Sequence, residues 1–321
     1  MKKFKLVTWA TAMALFVALA SAGPAVAAEK YKGFERGEAL ITVEELKGLI
    51  DAKDPKLVLV AVIKPVSFKL GYIPGSLNVW RPDYEPKAGG EYPFGGMMLD
   101  QAAFESFARK LGINNDSTVV VYDEKYDATR LWWAFYMYGK TDVRVLDGGY
   151  QAWKAAGYDT DSAIFSPSAE ETGNFKAKPR RMGVIASMDE VKKAKTDTGL
   201  KVWDTREKKE WTGEELKKGA FRKGRIPWAE FLNWKEFKMK VEGEKNPTLF
   251  KDASGVQAVV DKYKMDPKQR HIFYCQSGVR TTTEMFALYL LGWDVDNLAN
   301  YDGSWIEWSY HEDNPLETDA G

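Results

Sequence analysis

The strongest constraint on the fold of this chain is an internal duplication. Residues 119–153, VVVYDEKYDATRLWWAFYMYGKTDVRVLDGGYQAW, and residues 272–308, IFYCQSGVRTTTEMFALYLLGWDVDNLANYDGSWIEW, share one order of features. Each has an apolar strand, a turn, an aromatic-rich helix, a glycine, a short strand, Asp-Gly and a tryptophan. Asp123 and Cys275, at the matching turns, are 152 positions apart. A repeat this long predicts two duplicated domains rather than a solenoid of short units.

Each copy alternates predicted strands with predicted helices. Helix starts are indicated at Thr42–Glu45 and Ser187–Glu190, where a hydroxyl residue is followed three positions later by glutamate. The apolar runs KLVLVAVI and LKVWD predict buried strands, and LDQAAFESFARKLG has the apolar spacing of an amphipathic helix. This alternation predicts α/β domains, each with a parallel sheet flanked by helices.

The domain boundaries follow from the two copies and from what separates them. We expect the first domain at residues 36–160 and the second at residues 183–316. Residues 161–182 are polar, contain two prolines and have no sustained periodicity, so they are interpreted as a linker.

Residues 1–28 are typical of a secretory signal peptide. Lysines at positions 2, 3 and 5 precede an apolar run, and small residues end the segment at Ala27-Ala28. The alternative is an uncleaved membrane anchor, but the apolar run is short for a bilayer span. We therefore expect a periplasmic or secreted protein with no membrane association after signal cleavage.

Composition excludes several classes of protein. The chain has 46 basic and 46 acidic residues, so it has no excess of positive charge that would attract nucleic acid. A single cysteine excludes an internal disulfide framework. The two histidines, His271 and His311, form no cluster with zinc-ligand spacing, so neither a metal nor a cofactor is expected. His271 could share a strand face with Cys275, but we interpret it as structural.

Cys275 is either a small buried core residue or a nucleophile, and its neighbours favour the second. It ends the predicted strand HIFYC, and a helix is expected to begin near Val279 or Arg280. Ligands of parallel sheets bind where strands end and helices begin. Backbone N–H groups of the QSG turn and of the helix start can bind an anion there. Such a site lowers the pKa of a thiol from ~8.5 to as little as ~3.5 to 7.5, so no histidine base is needed.

The whole chain after residue 28 resembles the tandem-domain rhodaneses, sulfurtransferases that move sulfane sulfur through a cysteine persulfide. The resemblance rests on several motifs: GYIPGSLNVW, LGINNDSTVVVYDE, VRVLDGGYQAWKAAGY, WDTREKKEWTGEE, GRIP and CQSGVR. It implies two tandem rhodanese-like domains, with residues 36–160 non-catalytic and residues 183–316 catalytic. Asp123 would occupy the position of the nucleophile in the non-catalytic copy.

The resemblance also implies the roles of the loop residues. Cys275 would be the catalytic nucleophile. The active-site loop around it would be formed by Gln276, Ser277, Gly278, Val279 and Arg280.

The sulfur donor is expected to be a small anion. Arg206 in the motif DTRE matches a substrate-binding arginine of the family, and Arg280 lies on the loop, so both are predicted to bind the donor. A salt bridge of Arg206 with Asp204 or Glu210 is the structural alternative. Thiosulfate is a dianion, so these arginines should contribute more electrostatic binding energy to thiosulfate than to 3-mercaptopyruvate. We therefore expect thiosulfate as donor, with 3-mercaptopyruvate second, and cyanide or a thiol as acceptor.

The loop departs from the family pattern at positions that affect donor choice. Ser277 matches the mercaptopyruvate-preferring type, whereas Arg280 stands where those enzymes usually have threonine, and Arg225 in GRIP replaces a common histidine.

Two other functions stay open. One is a non-catalytic persulfide carrier or binding module. The other, a phosphatase on the same fold, is disfavoured because four residues separate Cys275 from Arg280 where five are expected.

Overall fold

The structure is a computed structural model that describes residues 30–240, 242 and 247–319. The predicted signal peptide, residues 1–28, lies outside the described residues. Within them, no helix is long and apolar enough to cross a bilayer.

The described part of the chain alternates short strands with helices. The strands are β1 (Leu40–Ile41), β2 (Leu57–Val62), β3 (Leu77–Val79), β4 (Thr118–Tyr122), β5 (Val143–Leu146), β6 (Ile185–Ala186), β7 (Leu200–Asp204), β8 (Glu230–Phe231), β9 (Arg270–Tyr274) and β10 (Leu298–Tyr301). The helices are α1 (Val43–Asp51), α2 (Pro65–Leu70), α3 (Arg81–Tyr84), α4 (Gln101–Lys110), α5 (Ala128–Met137), α6 (Gly149–Ala155), α7 (Met188–Lys193), α8 (Lys208–Trp211), α9 (Ala253–Lys262), α10 (Thr281–Leu290) and α11 (Ser304–Tyr310).

The strands form two five-stranded sheets with the same topology. The first has the order β1-β5-β4-β2-β3 and the second the order β6-β10-β9-β7-β8, and every strand pair is parallel. The predicted fold class, two α/β units with parallel sheets flanked by helices, is confirmed. Because strand order repeats as well as sequence, the duplication extends to the whole topology.

Local sequence signals account for the starts of several helices. Thr42 Oγ1 accepts the Glu45 N–H at 3.1 Å, while a Glu45 carboxylate oxygen accepts the Thr42 N–H at 2.9 Å, which is the predicted capping box of α1. Ser187 caps α7 by accepting the Glu190 N–H at 3.2 Å. These side chains satisfy backbone donors that the first turn of a helix leaves free.

Helices α5 and α10 form the centre of the domain interface. Both are buried along nearly their whole length, because each packs on its own sheet and on the other helix. The Trp132 ring meets the Phe286 ring edge-on at 4.7 Å between centroids, and the Thr129 and Thr282 hydroxyls are 2.8 Å apart. One apolar cluster therefore runs through both domains.

The segment predicted as a linker is attached to the first domain. Its backbone N–H groups at Gly173, Phe175 and Lys178 donate to carbonyl oxygens of the first domain, and the Phe175 ring is buried. Most of the segment is exposed, and only Phe175 and Ala177 are buried. Its lack of periodicity therefore indicates irregular backbone, part of which forms hydrogen bonds with the first domain.

Candidate active site

Cys275 lies at the point where strand β9 ends and helix α10 is about to begin. The strand ends at Tyr274 and the helix begins at Thr281, so residues 275–280 form a tight loop at the carboxyl edge of the second sheet. Only 1% of Cys275 is exposed. This is the predicted position of the loop, and the helix starts within two residues of the predicted place.

Backbone N–H groups surround the Cys275 sulfur. The N–H groups of Ser277, Arg280 and Thr281 point to it, and the Arg280 guanidinium is close enough to interact with its charge. Burial raises the pKa of the Cys275 thiol, but the Arg280 charge and these N–H groups outweigh it, so the pKa lies below its ordinary value. The loop therefore favours the thiolate, which is the nucleophilic form.

The first domain contains the same loop with a carboxylate in place of the thiol. The Asp123 oxygens accept the N–H of Lys125 at 3.0 Å and the N–H of Ala128 at 2.5 Å. By the 152-residue offset, these donors correspond to Ser277 and Arg280. Burial raises the pKa of Asp123 to about 6. In both copies the loop thus directs backbone N–H groups at the side chain at its centre.

Ser304 also positions the nucleophile, and sequence reasoning missed it. Its Oγ accepts the Cys275 N–H at 3.1 Å and donates to Tyr301 O at 2.7 Å. Its φ of 50° lies in the left-handed region, where a residue with a side chain is strained. The matching residue in the first copy is Gly149, which also has a positive φ. The signal in the sequence that could have identified Ser304 was therefore a serine at a position that favours glycine.

Two glycines are required by the close packing around the loop. Gly278 has a φ of 68°, and a Cβ there would lie 2.7 Å from Asp302 O. Gly96, from the first domain, has a φ of 98°, and a Cβ there would lie 2.8 Å from the Ser277 Cβ. The first domain therefore covers the loop directly, and neither glycine position has room for a side chain.

The remaining loop residues contact different parts of the molecule. Gln276 donates through its side chain to Lys218 O at 3.3 Å, on the segment that follows α8. Val279 is buried, with 2% exposed. Gly278 O accepts the Arg130 guanidinium of the first domain at 3.0 Å. The structure thus brings the five predicted loop residues around Cys275.

Arg280 is buried and paired rather than facing solvent. Its two terminal nitrogens donate to the two carboxylate oxygens of Glu210 at 2.7 and 2.9 Å, and 8% of the residue is exposed. A bidentate arginine–carboxylate pair is strong and directional. Glu210 therefore positions the cation that stabilises the Cys275 thiolate.

Arg206 lies in an internal ion pair with Asp204. Its guanidinium donates to Asp204 at 2.5 to 3.0 Å and to Gly224 O at 2.8 Å, and it lies over the Trp305 ring at 4.6 Å. Only 1% of the residue is exposed. The structural alternative, a salt bridge with Asp204, is what the structure shows, because burial requires a carboxylate partner for the charge. The donor-binding role of Arg206 stays a prediction.

A search against protein-family models gives matches to the rhodanese-like domain. They cover residues 42–156 and residues 187–311, so the two copies match separately. This chain belongs to the rhodanese family.

Curated relatives of this rhodanese differ in the function that their names state. The thiosulfate sulfurtransferase of Corynebacterium glutamicum is 31% identical over 78% of this chain and 81% of its own length. The sulfur carrier protein TtuD of Thermus thermophilus is 29% identical over 86% of this chain and 95% of its own length. The names support sulfur transfer as the general activity.

Solved structures share the fold of this rhodanese. The anaerobic ergothioneine biosynthesis enzyme of Chlorobium limicola, in complex with trimethyl histidine, superposes with a TM-score of 0.74 at 24% identity. The match covers 90% of this chain and 72% of that one. At this identity the similarity shows the fold alone.

Three observations on this rhodanese bear on other chemistries. His271 is fully buried, its Nδ1 accepts the Trp203 indole N–H at 2.9 Å, and its Nε2 pairs with Asp266 O at 2.8 Å, so its role is structural. Among the described residues, no three His, Cys, Asp or Glu side chains form a metal-binding group. The guanidinium fork that a phosphatase would direct at phosphate is bound to Glu210.

Proposed function

We propose that this chain is a thiosulfate sulfurtransferase that carries sulfane sulfur as a persulfide on Cys275. One observation carries the proposal: the Cys275 sulfur lies among backbone N–H groups whose first-domain counterparts bind a carboxylate. A loop that binds a carboxylate oxygen in one copy is suited to a thiolate, and then to a persulfide anion, in the other.

The reaction needs neither oxidant nor reductant. The Cys275 thiolate attacks the outer sulfur of thiosulfate, the bond between the two donor sulfurs breaks, and sulfite leaves with the electron pair. The persulfide anion then meets cyanide or a thiolate, which attacks the outer sulfur and restores the Cys275 thiolate. The total charge is unchanged in each step, and the same N–H groups stabilise the thiolate and the persulfide.

Thiosulfate is the preferred donor in this proposal, and 3-mercaptopyruvate is the second. Several curated relatives, including the one from Corynebacterium glutamicum, are named for thiosulfate. Ser277 keeps the mercaptopyruvate type open, since it places no cation where thiosulfate-preferring members usually have one.

A persulfide carrier is the second candidate, and the name of the Thermus thermophilus relative favours it. An enzyme and a carrier share the chemistry at Cys275 and differ in turnover. With thiosulfate and cyanide in excess, an enzyme makes many thiocyanate molecules per protein molecule at a steady rate. A carrier makes about one and then stops, unless its specific acceptor is supplied.

Export to the periplasm or the medium also belongs to the proposal. It is supported by the lysines, the apolar run and the small residues of positions 1–28. The N-terminal sequence of protein recovered from the periplasmic fraction should begin near residue 29. Protein that retains Met1 in the cytosol would contradict export without affecting the proposed chemistry.

Intact-protein mass spectrometry tests the sulfur transfer directly. After incubation with thiosulfate and removal of the donor, the protein should gain one sulfur atom, and cyanide should remove it. The Cys275→Ser variant is the matched control, because its side chain has nearly the same shape and cannot form a persulfide. Sulfur gain or thiocyanate production by that variant would disprove the role of Cys275.

A further inference from the structure

A buried asparagine on the neighbouring strand contacts the Cys275 loop. Asn300 lies on β10, and its side chain is fully buried. Its Nδ2 donates to Gly278 O at 2.9 Å, and its Oδ1 accepts the Thr281 hydroxyl at 2.9 Å. A buried amide costs free energy unless its polar atoms are hydrogen-bonded. Both of these bonds go to residues that surround the sulfur.

The first copy has an apolar residue at the matching strand position. Asn300 pairs with Phe273 of β9, two positions before the residue at the centre of its loop. Val145 pairs with Val121 of β4, also two positions before the centre of its loop. A valine therefore fits this strand position, and the amide belongs to the copy that contains the cysteine.

Gly278 O is bound from both domains. Besides Asn300, the Arg130 guanidinium of α5 donates to it at 3.0 Å. Gly278 has a φ of 68°, in the left-handed region, which glycine enters and leaves at little cost. A carbonyl oxygen rotated inward would bring the negative end of its dipole to the sulfur and disturb the turn that directs N–H groups there. The two donors oppose that rotation, because each would lose its acceptor.

Thr281 joins the same network at the start of α10. Its N–H is one of the groups that face the Cys275 sulfur, and its buried hydroxyl donates to Asn300. Through this contact β10 sets the position of the first N–H group of the helix. Asn300 thus contacts the loop on both sides of its last two residues.

We propose that Asn300 is a positioning residue for sulfur transfer, which holds Gly278 O and the Thr281 hydroxyl so that the loop N–H groups stay directed at the Cys275 sulfur. The inference rests on the proposed function and adds a determinant outside the loop, on a strand whose first-domain counterpart has valine. Asn300 acts through the loop and not on the donor. Its loss weakens the stabilisation of both the thiolate and the persulfide, since the same N–H groups serve both.

A change at Asn300 removes no charge from the site. Within the residues that the structure describes, the buried charged groups at the loop are Arg280 and Glu284 on α10, Glu210 on α8, Arg130 on α5 and Asp302, and Glu85 and Lys217 are partly exposed nearby. All of them remain in Asn300→Val. A shifted pH profile of Cys275 in this variant therefore reports the direction of the N–H groups.

The rate of alkylation by iodoacetamide, measured across pH, tests this role. For Asn300→Val we expect the pKa of the Cys275 thiol to rise, so that the profile moves to higher pH. Persulfide formation from thiosulfate at neutral pH should fall ~3- to 30-fold, as for loss of one or two neutral hydrogen bonds.

Asn314→Leu is the matched control. Asn314 is also buried, and its Nδ2 donates to Trp308 O at 3.1 Å, on α11. This variant should lose stability in urea and keep the wild-type alkylation profile, because it removes a buried amide that does not bind the loop.

A second pair of variants guards against misfolding of Asn300→Val. Thr281→Val removes the hydroxyl at nearly unchanged volume, and it should move the profile in the same direction and slow persulfide formation ~3- to 10-fold. Thr281→Ser keeps the hydroxyl and should stay within about threefold of the wild-type rate.

Several results would overturn the inference while leaving the proposed function intact. A wild-type profile in folded Asn300→Val or in folded Thr281→Val is one, and equal loss in Thr281→Ser and Thr281→Val is another. An equal shift in Asn314→Leu would also overturn it, by showing a general loosening of the fold. Failure of the wild type to gain sulfur from thiosulfate would refute the proposed function itself. The alkylation profile needs no sulfur donor, so it would still decide whether Asn300 positions the N–H groups.

Discussion

At the scale of single residues, the site depends on which charges are already paired. Arg280 stabilises the Cys275 thiolate, yet its guanidinium is bound by Glu210. Since the pair is buried, removing one partner leaves the other as an unpaired charge, which costs ~3–5 kcal/mol. The sequence alone predicts that Arg280 selects the donor, whereas its contacts indicate that it supports the loop and the thiolate.

This role predicts a change in the pH dependence of Cys275. In the double variant Arg280→Gln/Glu210→Gln no buried charge is unpaired, and the thiol loses the cation that lowers its pKa. We expect the pKa of Cys275 to rise, so that more alkaline conditions are needed for the thiolate. The rate of alkylation by iodoacetamide, measured across pH, follows the thiolate fraction. An unchanged profile would show that the N–H groups alone set the pKa.

At the scale of the secondary-structure elements, one strand–loop–helix unit appears twice with different central atoms. The loop between β4 and α5 binds the Asp123 carboxylate, and the loop between β9 and α10 surrounds the Cys275 sulfur. Even the following helix contacts match, since Tyr150 N donates to Asp123 O at 2.9 Å and Trp305 N to Cys275 O at 3.0 Å. The central side chain decides which copy can form a persulfide.

Asp123→Asn should therefore keep sulfur transfer and change the pH dependence of stability. In the folded protein the pKa of Asp123 is about 6, above its value of ~3.9 in an unfolded chain. A raised pKa favours the folded state at low pH, and this stabilisation is lost as pH rises through 6. Relative to the asparagine variant, the wild type should lose ~1–3 kcal/mol between acidic and neutral pH.

Urea unfolding at several pH values measures this difference. The asparagine amide presents one acceptor and one donor to the two N–H groups, so the variant should be slightly less stable where Asp123 is neutral. Persulfide formation by Asp123→Asn should stay near the wild-type rate. A hundredfold loss in a folded variant would show that the first loop takes part in the chemistry.

At the scale of the whole molecule, each domain covers the loop of the other. Met98 N of the first domain donates to Asp302 at 2.7 Å, and Phe250 N of the second donates to Asp147 at 2.9 Å. Arg130, fully buried on α5, donates to Gly278 O of the Cys275 loop at 3.0 Å and pairs with Asp302. The two domains thus share one polar interface around the site, in addition to the apolar cluster.

Arg130→Met should weaken the molecule and the site together. It leaves the Asp302 carboxylate without its cation, so unfolding free energy should fall by ~3–5 kcal/mol, and Arg130→Met/Asp302→Asn should recover part of the loss. Both variants also remove the contact with Gly278 O, so persulfide formation should be slower in both. Urea unfolding followed by tryptophan fluorescence, together with sulfur gain by mass, measures the two effects. Full activity in the double variant would mean that the loop holds its shape without Arg130.

The sequence by itself determined the features that depend on neighbouring residues or on comparison of the copies. The capping box at Thr42, the strand that leads to Cys275, the anion-binding turn and the duplicated fold all follow from local patterns. Only the tertiary structure decided which charges are paired: Arg280 pairs with Glu210, 70 positions away, and Arg130 of the first domain pairs with Asp302 of the second. Burial removes water from a charge and makes a partner obligatory, and that partner is chosen by packing between distant segments rather than by local sequence.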